Sequence, residues 1–269
     1  MSIKLTRAIV LGFLTLLAVG SFGPSAAFAN AGPFWHHRAP GEKNEGAKIE
    51  ENSPENFNGE GGEQTLKGKV GTQEVEIIAK SVQAKGIIFN NALQGQIKVT
   101  LNYHEPQLVN PKLAGCQVKI GFTKNNEVRA EGHLAWKWNG TKAQRILQPQ
   151  SKEQKPDIIF TPAPIKAGET KLPEGTFTEI NLSPNKACLV LGGTFPVKGS
   201  QSATPKPENL EEWNTTLITT FPGWPLQHFW NGTEFIGAEP GLIFSGNPST
   251  LTGSVEAKAA VQEISVFEK

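Results

Sequence analysis

The sequence predicts an all-β protein, most simply a two-sheet sandwich of mainly antiparallel strands. Three observations carry that prediction. From about residue 66 onward, apolar and polar residues alternate with period two in run after run. Gly, Pro and Asn separate the runs. Only one short stretch, "KPENLEEW", has the residue order of a helix.

At the N-terminus, Lys4 and Arg7 precede an apolar stretch that runs from Ala8 to Val19, and Ala27-Phe28-Ala29 fits a small-residue cleavage pattern. Residues 1–29 therefore read as a secretory signal peptide, with a second acceptable cut after Ala31. The apolar stretch is too short, and too interrupted at Gly12, for a membrane span. No cysteine follows it for lipid attachment, and the C-terminal "AVQEISVFEK" has no second apolar tail. The mature chain is thus expected to be secreted and extracellular. Residues 30–65 include "GEKNEGAKIEENSPENFNGEGGEQ", rich in Glu, Gly and Asn. Such a composition buries too little apolar surface to offset chain entropy, so a disordered acidic, Gly-rich spacer is expected. Its "GEGGE" is no phosphate loop, because Glu repels phosphate and no Lys-Ser/Thr follows.

Residues 66–269 read as a single all-β domain. Its clearest strand is "GQIKVTLNYH", where Ile97, Val99, Leu101 and Tyr103 alternate with Lys98, Thr100, Asn102 and His104. "VEIIAKSV", "GCQVKIGF", "TFTEINLS", "ACLVLGGTFPV", "TTLITTF" and "GSVEAKAAVQEISVF" are further strands of the same kind. Between them, residues 147–175 form a long polar insertion. Its centre, residues 158–161, reads as a short edge strand that Pro156 and Pro162 keep from extending. The one helix covers residues 206–213, with Pro207 in its first turn and Glu208 at the positive end of its dipole.

The tetrapeptide W-N-G-T occurs twice, at residues 138–141 and 230–233. Asn-Gly between alternating runs is a strong hairpin signal, because a type I′ turn needs positive φ at both central residues. Two-residue turns are therefore expected at Asn139-Gly140 and Asn231-Gly232. They would set Trp138 opposite Thr141 and Trp136 opposite Ala143. In the second hairpin, Trp230 would face Thr233, Phe229 would face Glu234 and His228 would face Phe235. Asn139, Asn181, Asn214 and Asn231 also stand in N-x-S/T sequons, which are acceptors only in a host that glycosylates exported proteins.

Composition narrows the chemistry. The formal net charge of +1 becomes −1 once Lys4 and Arg7 leave with the leader, which gives no electrostatic case for nucleic acid or an anionic membrane. Arg occurs only at 7, 38, 129 and 145, against an Arg-based phosphate site. Asp157 is the only aspartate, so a calcium loop lacks its ligands. No H-E-x-x-H or G-x-S-x-G is present, and neither a metal nor another cofactor is expected. Cys116 and Cys188 are the only cysteines and form no C-x-x-C. In an exported chain they read as a disulfide, contributing roughly 4 kcal/mol on the chain-entropy account.

Trp136, Trp138, Trp224 and Trp230 are the candidate ligand-binding residues. Together they would make a flat platform for the apolar face of a sugar ring, and packing in a β core is the competing explanation. His104, His133 and His228 would bind a metal only if the fold brought them together. Glu234 and Glu239 are the carboxylate pair a hydrolase would need. The signal peptide, "GQIKVTL", "GCQVKIG" and the β-rich C-terminus make the chain resemble uncharacterised secreted β-rich proteins of actinobacterial type. That resemblance implies export and β structure and brings no activity with it. The expected function is a non-enzymatic extracellular binding or structural protein. A carbohydrate-binding module on the Trp residues is the first alternative, and a Glu-dependent hydrolase is the second. The expected partner is extracellular, a glycan among the possibilities.

Overall fold

The computed structural model describes residues 33–109, 116–121, 126–137, 155–164, 172–183, 192–206, 211–222, 229–230, 235–236, 241–259 and 262–267. Among these every regular element is a strand. The strands close into an eight-stranded antiparallel barrel with additional strands, which replaces the expected two-sheet sandwich.

The chain goes around the barrel in sequence order. β1 (Phe34–Arg38) and β2 (Ala47–Lys48) lie outside the wall. β3 (Glu55–Gly61) opens the wall, and β4 (Gln64–Val70) prolongs its line. β5 (Gln73–Ala79) returns along β4, and β6 (Ser81–Asn90) continues along β3. β7 (Gly95–His104) pairs with β6, and β8 (Gln107–Leu108) pairs with β5. β9 (Gln117–Ile120) joins β8, and β10 (Glu127–Lys137) joins β7. β11 (Pro156–Pro162) lies on β10, and β12 (Thr176–Ser183) lies on β9. β13 (Gly193–Gly199) pairs with β12, and β14 (Gln201–Lys206) pairs with β11. β15 (Thr216–Pro222) pairs with β14. β16 (Phe229–Trp230) and β17 (Phe235–Ile236) pair with each other, and β18 (Leu242–Phe244) pairs with β13. The long β19 (Asn247–Ala259) has β15 and β18 on one side and β3 and β4 on the other, which closes the wall. β20 (Glu263–Phe267) returns to β1.

Pairing runs all the way around at two levels. One ring is β3, β6, β7, β10, β11, β14, β15 and β19; the other is β4, β5, β8, β9, β12, β13, β18 and β19. Between the rings the wall bends at a waist. There the backbone takes positive φ at Glu105, Gly121, Gly175, Gly199 and Gly253. Such bends let long strands curve around a small lumen.

Side-chain alternation decides inside from outside. In β7, Ile97, Val99, Leu101 and Tyr103 are buried, while Lys98 and His104 are exposed, as the period-two pattern predicts. Each fully buried aliphatic side chain contributes about 1.5–3 kcal/mol. The outer wall is polar: Lys98 pairs with Glu131 across β7 and β10, and Lys67 with Glu76 across β4 and β5. An apolar interior behind a charged exterior is the reverse of a transmembrane barrel, whose outward face is apolar. Among the described residues no helix is long and apolar enough to cross a membrane.

β2, β1 and β20 form a small sheet that caps the barrel near the β6–β7 turn. Asn90 clasps it: the Trp35 N–H donates to Asn90 Oδ1 at 2.8 Å, and Asn90 Nδ2 donates to the Trp35 carbonyl at 2.7 Å. The Gly95 N–H donates to the Pro33 carbonyl at 2.8 Å. Arg38 donates from Nε to Glu263 at 2.7 Å and lies 4.3 Å over the Trp213 ring. Asn214 and Ile264 exchange backbone hydrogen bonds, joining the cap to the wall.

Three further expectations are corrected. The supposed disordered spacer contains β1, β2 and β3, and Trp35 and Ile49 within it are fully buried. The expected helix is absent from the described part of its stretch: Lys206 ends β14 and Glu211 lies in a turn, with residues 207–210 outside the described set. One isolated helical turn cannot nucleate without packing support. Residues 158–161 are no edge strand, since β11 is paired on both sides, with β10 and β14. The prolines do bound it, because β11 runs from Pro156 to Pro162.

The hairpin registers also differ from expectation. Trp230 pairs with Phe235 and Phe229 with Ile236, so Trp230 does not face Thr233. Trp136 pairs with Pro156 on one side and Trp230 on the other, which leaves no edge for Ala143. Both neighbours come from elsewhere in the wall, and that tertiary pairing overrides the local register expected for Trp136. Asn139, Gly140, Asn231 and Gly232 themselves lie outside the described residues.

Candidate functional site: the barrel lumen

The inward side chains of both rings leave an apolar cavity of about 130 Å³. Its wall is built by the alternation: Ile97, Val99 and Leu101 from β7, Val128 and Ala130 from β10, Phe160 from β11, and Val255 and Ala257 from β19. Small residues at Ala79, Ala84, Ala130 and Ala257 keep the centre open. Ile264 of β20 reaches the cavity from the cap, so the capping sheet forms one end of it. Eight-stranded barrels have interiors that side chains just fill or that hold one small ligand, and here the filling is incomplete.

A few polar side chains line the same space at the waist: Gln64, Tyr103, Thr178 and Gln201. Gln64 is 2% exposed, and its Nε2 donates to the Ser254 carbonyl at 2.8 Å. Its Oε1 has no hydrogen-bond partner among the described residues. Gln201 Nε2 donates to the Ser202 carbonyl at 2.7 Å. Tyr103 is buried, and desolvation alone raises its pKa above the usual tyrosine value. The lumen thus offers shape, apolar area and a few hydrogen-bonding groups.

The residues singled out from sequence are placed as follows. Trp136 is 1% exposed and stands at an inward position of β10, and its Nε1 has no partner among the described residues. It offers no face to a sugar in solution. Trp230 is in β16 and pairs with Trp136, as Phe229 pairs with Lys137. Trp138, Trp224, Glu234 and Glu239 lie outside the described residues. His104 ends β7, whereas His133 pairs with Gln96 near the start of that strand, so these two do not converge; His228 is outside the described residues. His133 sits on the outer wall with its pKa lowered by desolvation. Asp157 is also on the outer wall and buried, opposite Ala135. Among the described residues no three His, Cys, Asp or Glu side chains cluster as metal ligands. Cys116 is half-buried just before β9 and is not a free thiol; Cys188 is outside the described residues.

Sequence reasoning did not select the lumen group. The alternation along β7 sets Tyr103 in phase with Ile97, Val99 and Leu101 but assigns it no role. Gln64 fell in the stretch read as a spacer, although Gln64, Leu66, Gly68 and Val70 share the inward phase of β4. No protein-family model, no curated protein and no solved structure matches the chain.

Proposed function

We propose that the chain is a secreted, non-enzymatic binding protein that encloses one small apolar molecule inside its barrel. The observation that carries this reading is the apolar cavity of about 130 Å³. It lies within a wall that is charged outside. A cavity of this size is close to one that stays dry and takes up a benzene-sized guest. The N-terminal leader supports export, and the charged outer wall suits a protein surrounded by water.

Binding is testable by thermal melting with toluene. A guest that binds only the folded state at a hundredfold excess over its Kd stabilises by about 2.7 kcal/mol. For a chain of this size the melting midpoint then rises by roughly 5–10 °C and saturates. Ala130→Leu places a larger side chain in the cavity and should abolish the shift while the variant still melts cooperatively. A midpoint indifferent to toluene in the parent protein would reduce the cavity to a packing defect.

Export to an oxidising compartment goes with a Cys116–Cys188 bond, which would tie the start of β9 to the segment between β12 and β13. Thiol titration of the denatured, unreduced protein should find no reactive thiol. Two thiols per chain would remove this bond.

A further inference from the structure

We propose that the lumen selects a small apolar molecule carrying one hydroxyl group, which donates its hydrogen bond to Gln64 Oε1. This rests on the lumen-binding reading and names the ligand class that the same cavity takes. Gln64 is nine-tenths buried and more, lines the cavity, and has its Nε2 committed to the Ser254 carbonyl at 2.8 Å. That bond fixes which end of the amide is oxygen, and the oxygen has no partner among the described residues. A buried acceptor without a partner is costly, so it marks a place where a donor belongs.

The wall is shaped to hold this amide. Gly253 has φ +139°, and a Cβ there would come within 2.3 Å of Gln64 Oε1. Any side chain at 253 would therefore displace the oxygen. A Cβ at Gly61 would lie 2.7 Å from Val82 Cγ1 and 3.3 Å from Gln64 Nε2, which puts the amide beside Val82. Val82 is paired in turn with Tyr103 across β6 and β7. Tyr103 lines the same cavity, so its hydroxyl is available to a ligand oxygen whose own proton goes to Gln64. A hydroxyl both donates and accepts, which matches this pair of side chains.

Calorimetric titration of the purified protein with phenol and with toluene tests the assignment. The two probes have nearly the same shape and differ in O–H against CH3. In a cavity without a polar partner toluene binds better, because phenol gives up its hydrogen bonds to water. With Gln64 as acceptor, phenol should bind about tenfold more tightly than toluene. Gln64→Leu should reverse the order while toluene still binds, and if that variant does not fold, Tyr103→Phe should reduce the phenol preference in its place. Toluene binding as well as or better than phenol in the parent protein would overturn the donor assignment and leave the lumen reading standing; a lone buried water on Oε1 would give that result. Binding of neither probe would overturn both.

Discussion

Burial raises the Tyr103 pKa above its ordinary value of about 10, because a phenolate in an apolar cavity loses its hydration. The folded pKa lies above the unfolded one. The corresponding stability is therefore fully present below pH about 10 and is lost as pH rises through the folded value. Tyr103 is the only tyrosine in the chain, so tyrosinate absorbance reports on this site alone. The expected outcome is an absorbance rise displaced above the usual range and coincident with loss of the β-sheet circular dichroism signal. Ordinary titration near 10 in an intact fold would place the phenol in water. The inward position of Tyr103 was legible, because it keeps phase with Ile97, Val99 and Leu101 on one strand. The position of Gln64 was not. A glutamine among Glu and Gly reads as solvated, and the group it bonds, Ser254, is distant in sequence.

The elements that escaped the sequence are those whose stability comes from distant partners. β3 reads "ENFNGEG", in which Phe57 is the single large apolar side chain turned inward, and averaged composition hides it. Its order comes from pairing with β6 on one side and β19 on the other. The same holds for β1, which β20 and the Asn90 clasp secure. Local pairing was outweighed at one place: Asn-Gly favoured Ala143 as the partner of Trp136, and pairing with Pro156 and Trp230 prevailed. "GQIKVTLNYH" succeeded because its one-sided alternation states its burial without outside help. Deleting residues 33–61 follows directly as a test. It removes fully buried Trp35 and Ile49 together with buried Phe57, and it exposes the edges of β6 and β19. A buried Trp alone is worth about 3–5 kcal/mol on truncation, against a total stability of about 5–15 kcal/mol. The truncated protein should show no cooperative melting transition. An unchanged midpoint would return the segment to the status of a spacer.

At the scale of the whole molecule, a sandwich and a barrel share the same period-two alternation, so strand patterns cannot separate them. The distinction rests on one long-range event, the pairing of β19 with β3 and β4. In an open arrangement those strands would each have an unpaired side. Every second backbone amide on an edge strand points away from its neighbour, into water. In the closed wall, residues 57–60 are flanked twice. Phe57 is opposite Gly86 and Ala259, Asn58 opposite Lys85 and Lys258, Gly59 opposite Ala84 and Ala257, and Glu60 opposite Gln83 and Glu256. Successive amides along this run therefore point alternately at β6 and β19, and all of them meet a carbonyl. Hydrogen exchange followed residue by residue should find the amides of residues 57–60 uniformly protected, to the level of the central β6–β7 pair. Exchange slow at alternate positions and fast at those between would show β3 as an edge and open the barrel. Uniform slow exchange requires both neighbours, because protection of core strands extends toward the global unfolding free energy only where every amide is paired.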